Sequence, residues 1–188
     1  MAQRFFELAL TPGVRAAQQL YYGRSDPAPP GKSQDDRLGP AEATFIAARD
    51  SFYMASVGET GWPYVQHRGG PPGFLKVLSP GEIAFADTRG NRQMLTTGNL
   101  SGNDRVCLFL MDYPARERLK IFGHASVLDA RKETGLTETV APPELAGATE
   151  RIVRIRVVGF DWNCPKYITP RYTAAQVEET IAPLRARI

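Results

Sequence analysis

Apolar and polar residues alternate over short runs through the middle of the chain, and helical spacing is confined to the regions near its ends and to brief excursions between. From Thr11 to Gly23, residues Val14, Ala17, Leu20 and Tyr21 recur on one helical face. Thr11-Pro12 has the form of a cap followed by a first-turn proline, and Gly23 can stop the helix. Residues 25–39, rich in Pro, Gly and Asp, read as a surface loop or equally as an ordered arm laid on a partner. Pro40 opens a second short helix with Ala41, Phe45 and Ala48 on one side. From residue 51 the period drops to two, which predicts sheet. Residues 51–57 and 62–67 are joined by Gly58-Glu59-Thr60-Gly61, a good hairpin connection, and residues 74–78 and 82–86 form the next pair, turned by Ser79-Pro80-Gly81. Residues 91–100 are expected as a short helix, interrupted by Gly98 and ended by Ser101-Gly102-Asn103.

Residues 106–111 are apolar on both faces, Val106, Leu108 and Leu110 against Cys107, Phe109 and Met111. Such a strand lies in the middle of a barrel or at a subunit interface. Along residues 119–128, Leu119, Ile121, Ala125 and Val127 share a face, Lys120, His124 and Ser126 take the other, and Gly123 permits a bend. Residues 133–147 form a helical or irregular excursion broken by Pro142-Pro143. Residues 152–160 alternate, with Val153, Ile155 and Val157 inward and Arg154 and Arg156 outward. Thr173 caps a last helix over 174–181, weakened at its end by Pro183. Seven strands with short turns and marginal helices predict a mainly β (α+β) fold, a small antiparallel barrel with peripheral helices. Neither the βαβ alternation nor the strand-turn-helix setting of a dinucleotide fingerprint is present.

The totals narrow the functional classes. A chain of 188 residues is expected to form one domain with a real core. A net charge of +3, with bases scattered among acids, argues against a nucleic-acid partner. Cys107 and Cys164 have no metal-site spacing and make no disulfide framework, which fits a reducing cytoplasm. His67 and His124 lie far apart without a carboxylate or cysteine cluster, so no protein-ligated metal is expected. No apolar run approaches the ~20 residues of a membrane helix, and an N-terminus carrying Glu7 does not read as a signal peptide.

Candidate chemistry gathers at two basic, glycine-relieved corners, Arg68-Gly69-Gly70-Pro71-Pro72-Gly73 and Asp87-Thr88-Arg89-Gly90-Asn91-Arg92-Gln93. Glycines let backbone N–H groups converge on an anion, and arginines supply forked donors matched to phosphate. The plain alternative is a pair of hairpin turns with solvated arginines. Lys76, inside an apolar strand, either snorkels out or meets an anion. Asp87 and Asp112 read equally as turn residues and as functional ones, while His67 and His124 read as structural and Cys107 as core. Trp162 reads as core or as the wall of a ring site.

The segments HRGGPPGFLKVL, FADTRGNRQM, TGNLSGNDRVCLFLMDYP, LKIFGHASVL and FDWNCPKYITPRY occur in order between about residues 45 and 172. Together they resemble the pyridoxamine 5′-phosphate oxidase-like proteins, the FMN-binding split-barrel family. The resemblance implies a split β-barrel of about six to seven antiparallel strands over 1–188, with a helical arm at about 1–50 and a C-terminal helix at about 173–188. It further implies a homodimer with FMN in a groove between subunits, and a flavin-dependent oxidoreductase acting on a small molecule. Arg68 and Lys76 resemble the arginine and lysine that hold the FMN phosphate. Thr88, Asn91, Arg92 and Gln93 resemble the corner that completes that site. Trp162 and Asn163 resemble the segment that reaches the flavin from the other subunit, and Cys164 beside them is the thiol with a route to it, though structural packing is its first reading. Two departures count against vitamin B6 oxidation itself. The segment Gly69-Gly70-Pro71-Pro72-Gly73 lies between Arg68 and Lys76, which are separated by seven residues where the oxidase's R-x-x-x-x-K has four, and its C-terminal substrate-binding arginine and histidine have no convincing match. A non-catalytic FMN carrier or sensor, a haem-binding barrel and a deazaflavin-dependent reductase share the fold as alternatives.

Overall fold

The computed structural model describes residues 3–27, 31, 33–162 and 165–185. Seven strands form among them: β1 (Ser51–Val57), β2 (Pro63–Gly69), β3 (Lys76–Ser79), β4 (Glu82–Thr88), β5 (Arg105–Asp112), β6 (Glu117–Asp129) and β7 (Thr149–Trp162). They make one antiparallel sheet in the order β2-β1-β5-β6-β7-β4-β3. The helices are α1 (Gln3–Ala9), α2 (Pro12–Tyr22), α3 (Pro40–Ala47), α4 (Leu95–Gly102), α5 (Thr134–Val140) and α6 (Ala174–Arg185), with a 3-10 turn at Pro143–Ala148. No helix among the described residues is long and apolar enough to cross a membrane.

Three strands separate β1 from β4, so in a flat sheet they would stand about 19 Å apart at ~4.8 Å per strand. Instead the ring centroid of Phe52 on β1 lies 5.3 Å from that of Phe85 on β4, edge to face, and 5.5 Å from Phe74. The sheet is therefore rolled into a barrel. Its inward positions form one buried cluster: Phe52 and Met54, Ile83 and Phe85, Leu108 and Leu110, Leu119 and Ile121, Val153 and Ile155. The edge strands β2 and β3 do not pair with each other, which leaves the barrel split. A smaller cluster of Ala84, Ala130, Val140 and Ile152 lies under α5 and explains why Ile152, of outward parity, is also buried.

The two-faced strand β5 sits third in the order. Its Val106, Leu108 and Leu110 are buried, while Cys107, Phe109 and Met111 lie half-covered on the outer face. Cys107 is thus not a core residue. Thr11 caps α2 as expected, its Oγ1 accepting from the Val14 N–H at 3.3 Å, and Gly23 stops the helix at φ 65°. Among the described residues nothing covers the end of the apolar face of α2, where Leu20 and Tyr21 are 76% and 77% exposed.

Residues 33–38 are pinned to their own barrel. The Asp36 carboxylate accepts from the backbone N–H groups of Arg4, Phe5 and Phe160 at 3.1, 3.2 and 3.2 Å, and Leu38 is buried. This strap holds α1 against β7, where Phe5 stacks on Phe122 at 4.5 Å. The helix α4 starts at Leu95, later than the expected residue 91, and runs through Gly98. The helix α6 likewise runs through Pro183 to Arg185.

Gly123 marks a register shift between β6 and β7, and a Cβ there would stand 2.6 Å from Ile155 Cγ2 and 2.7 Å from the Arg156 carbonyl oxygen. Gly123→Ala should cost about 1–3 kcal/mol by overpacking. Gly135→Ala on α5, where a Cβ meets nothing within 4 Å, should be neutral or gain up to about 1 kcal/mol. Urea unfolding of both variants checks the contrast, and an unchanged midpoint for Gly123→Ala contradicts this account of the bend.

Candidate functional site

On β2 the alternation turns Tyr64, Gln66 and Arg68 to one face. The rolled sheet carries that face against the end of β4, so Arg68 Nη1 donates to Asp87 Oδ1 at 2.6 Å across the split. A flat sheet would set these strands about 24 Å apart. Arg151 of β7 is the cross-strand partner of Asp87, and its Nε donates to the other oxygen, Oδ2, at 2.8 Å. The ladder shifts register one residue later, between Asp87 and Thr88, and the chain leaves the sheet there. The corner that follows holds Arg92 and Met94 at φ 59° and 57°, and the Gln93 N–H donates to Asn91 Oδ1 at 3.1 Å. Left-handed backbone at two non-glycine residues is costly and concentrates at functional sites.

Between β2, this corner, Arg151 and the first turn of α4 lies a cavity of about 200 Å³. No side chain caps α4, so the N–H groups of Leu95, Thr96 and Thr97 lack intrahelical acceptors where these residues line the cavity. Thr96 Oγ1 donates to Gln66 Oε1 at 2.7 Å and Asn99 Nδ2 to Ser56 Oγ at 3.0 Å, tying α4 to β2 and β1.

Three arginines and one aspartate are the charged residues of the lining, a formal charge of +2. Asp87 is buried and both its oxygens are taken. Arg68 lies over the Phe85 ring at 5.5 Å, and its Nε is buried with no hydrogen-bond partner. Behind the cavity, Arg151 Nη1 and Arg89 Nε converge on Glu150 at 3.1 and 3.0 Å. The Arg89 bond, more than Arg151, holds the Glu150 carboxyl below its ordinary range against the effect of desolvation. Burial alone would lower the Arg151 pKa, but Asp87 and then Glu150 raise it. The arrangement can do one thing well: receive a compact, multiply charged anion.

Of the residues singled out in the sequence, Arg68, Thr88, Asn91, Arg92 and Gln93 come together here. Lys76 does not. It pairs with Ala84, whose side chain packs in the outer cluster, and directly opposed residues share a face. Lys76 therefore stands on the far side of the sheet from Phe85 and Asp87. Trp162 is also remote, since β7 runs roughly 35 Å between Arg151 and Trp162 at the usual strand rise. It donates to Glu42 Oε1 at 2.7 Å and meets Phe45 edge to face at 4.7 Å. Asn163 and Cys164 lie outside the described residues.

The first glycine corner corrects the sequence reading. The N–H groups of Gly70 and Gly73 donate to the carbonyls of Asp50 and Arg49 at 2.9 and 3.1 Å, so they are not free for an anion. Gly70 is glycine because a Cβ would stand 2.7 Å from Phe74. Asp112 pairs with Arg49 at 2.6 Å, His67 meets Tyr53 edge to face at 5.6 Å and His124 binds Asp104 at 2.9 Å, all outside the cavity lining. Sequence reasoning missed Arg151, although its parity is that of the inward Val153, Ile155 and Val157.

Residues 38–144 match the pyridoxamine 5′-phosphate oxidase family. No curated protein matches the sequence. Among solved structures, a candidate pyridoxamine 5′-phosphate oxidase of Lactobacillus delbrueckii superposes with a TM-score of 0.52 at 16% identity, covering 69% of this chain and 99% of that one. HupZ of Group A Streptococcus gives 0.51 at 9% identity over 72% and 100%. General stress protein 26 of Bacillus anthracis gives 0.50 at 13% identity over 63% and 88%. At these identities the likeness is one of fold.

Glu42 offers a test of how Trp162 is held. Burial would raise its pKa, but the Trp162 indole N–H and the Gly39 N–H outweigh that and bring it below the ordinary value. A depressed carboxyl contributes stability above its unfolded value near 4.3, and loses it as pH falls through the folded one. In a Trp62→Phe background, the emission of Trp162 should shift on acidification below about pH 4.3, and Glu42→Gln should remove the shift. Equal acid responses in the two proteins would show that Glu42 does not hold the indole.

Proposed function

This chain belongs to the pyridoxamine 5′-phosphate oxidase family, and on that premise we propose that its cavity holds the phosphate of FMN in a homodimeric, flavin-dependent oxidoreductase of small molecules. The observation that carries the proposal is the convergence of Arg68, Arg92 and Arg151 on one cavity of formal charge +2, with the buried Nε of Arg68 unpaired among the described residues. A phosphomonoester carries about −1.5 to −2 at pH 7 and three strong acceptor oxygens. Arg68, Arg92 and Arg151 would meet its charge, while Thr88, Asn91, Gln93 and the first-turn N–H groups of α4 would take the remaining oxygens. The fit is to this end of the cofactor only, because about 200 Å³ is less than the ~300–1,000 Å³ of pockets that enclose a whole small molecule. The ring would lie outside, past Met94 and Leu95, which are 42% and 45% exposed at the mouth.

Bound FMN would supply reversible hydride transfer. The chain's own part is to anchor the phosphate, fix the ring's direction of exit and shield one side of it. The lining holds no histidine, cysteine or lysine, and its one carboxylate is bound to two arginines. That also suits an FMN carrier without turnover, and consumption of NAD(P)H by the loaded protein separates the two. The half-covered outer face of β5, with exposed Tyr53 on the adjacent β1 and Val65 on β2 beyond it, supports a second subunit there. The partner's Trp162 could then reach a ring that a protomer's own Trp162 cannot.

Arg92→Ala should weaken FMN binding about ten- to 150-fold, for a charge-assisted bond of roughly 1.5–3 kcal/mol. Arg68→Ala should act likewise. Riboflavin, lacking the phosphate, should bind the wild type far more weakly and be nearly indifferent to both changes. In a fluorescence titration, Arg92→Ala binding FMN as tightly as the wild type, or losing both ligands equally, would overturn the phosphate assignment.

Light scattering tests the assembly. A dimer burying more than ~1,200 Å² should persist at micromolar concentration. A monomer mass with FMN bound would remove the shared site.

A further inference from the structure

An acidic side chain in the lining of an anion site needs a reason, because it repels the ligand. Asp87 is such a residue, 8% exposed at the end of β4, inside a cavity whose other charged members are all arginines. Resting on the phosphate reading above, we infer that Asp87 is the positioning residue of the site. It gives Oδ1 to Arg68 and Oδ2 to Arg151, one oxygen to each guanidinium, and so holds two cations from strands β2 and β7 side by side. Two guanidinium groups this close would otherwise repel each other and turn towards solvent. The shared carboxylate takes one N–H from each and fixes both planes.

The donors left over mark what the clamp is for. Arg68 keeps a buried Nε with no partner, and Arg151 is steadied from behind by Glu150 through Nη1 at 3.1 Å. Each plane is thus set before any ligand arrives, and donors that need no reorganisation bind an oxyanion more tightly than mobile ones. Asp87 touches no ligand in this scheme and acts through the two arginines. Arg151 becomes a phosphate ligand in its own right, presented by the same carboxylate.

Coulomb attraction and positioning predict opposite signs for Asp87→Asn. Removing the carboxylate raises the formal charge of the cavity from +2 to +3, which by charge alone should tighten FMN. If Asp87 positions the arginines, the amide loses one of its two acceptor oxygens, the pair drifts apart and FMN binds at least tenfold more weakly. Riboflavin affinity should not move. The experiment is a fluorescence titration of wild type, Asp87→Asn and Arg151→Lys with FMN and with riboflavin, beside the melting of each protein without ligand. Arg151→Lys keeps the charge and the backbone but gives up the fork, and should weaken FMN at least fivefold without touching riboflavin. Should Asp87→Asn fail to fold, this second variant still tests the half of the inference that makes Arg151 a ligand through its fork, and an unchanged FMN affinity overturns it.

The outcomes are distinct. A wild type that binds FMN no better than riboflavin defeats the phosphate reading, and this inference with it. A wild type that prefers FMN, with Asp87→Asn binding it equally or more tightly, leaves that reading intact and overturns the positioning role. Parallel losses of FMN and riboflavin in Asp87→Asn reduce Asp87 to a structural residue. Arg151→Lys binding FMN as the wild type does removes Arg151 from the ligand set.

Discussion

The architecture depends on a sheet that rolls far enough to meet itself and then does not close. Strands β2 and β3 end the sheet, and at the split β2 is held by side chains instead of a ladder: Arg68 to Asp87 of β4 and Gln66 to Thr96 of α4. Unpaired edges are normally a liability. Here the opening is a cavity floored by β4 and β7, roofed by β2 and closed at one end by α4. Packing of Phe52 on Phe74 and Phe85 sets the curvature, so the aromatic core fixes the spacing of the ionic groups above it.

That ionic layer is a poor source of stability. Desolvating two arginines and an aspartate offsets much of their attraction, and apolar groups of similar size are often as good or better at such positions. The backbone beside it is also unfavourable, with two non-glycine residues at positive φ, each costing on the order of 1–3 kcal/mol, followed by a helix with no side-chain cap. Two of the four left-handed non-glycine residues among the described ones thus border this cavity, while Arg116 and Tyr167 take the same conformation in turns elsewhere. At the cavity the left-handed corner, the uncapped helix and the buried ionic layer coincide, a combination expected where a chain keeps a site ready rather than a fold stable.

The strands were legible because period-two alternation survives any context that buries one face. The hairpins at 58–61 and 79–81 were legible from their turn residues. The Thr88–Gln93 corner was legible because arginine, asparagine and glycine crowd a strand end. The Gly69–Gly73 segment carried the same signal for another cause: Gly70 makes room for Phe74, and the turn's N–H groups are spent on α3's exit. Composition cannot tell a glycine that frees an amide from one that admits a ring. Lys76 depended on register, since one step of alternation decides the face. Arg151 depended on carrying the inward parity of Val153 one repeat further, to a charged residue that only an opposing Asp87 makes tolerable.

The length of β7 carries the last step. Arg151 stands near one end of it and Trp162 at the other, roughly 35 Å apart by strand rise, so no single protomer can present both to one flavin-sized ligand. If both serve one cofactor, they come from different copies, and the half-covered outer face of β5 is where a second copy would find apolar surface. Cofactor binding and assembly would then be linked: a ligand that contacts both copies must tighten the dimer by the same factor by which dimerisation tightens the ligand. The Asp87 clamp lies within one chain and needs no partner. On the proposed arrangement the phosphate site would be complete within one protomer, and the ring site would need both.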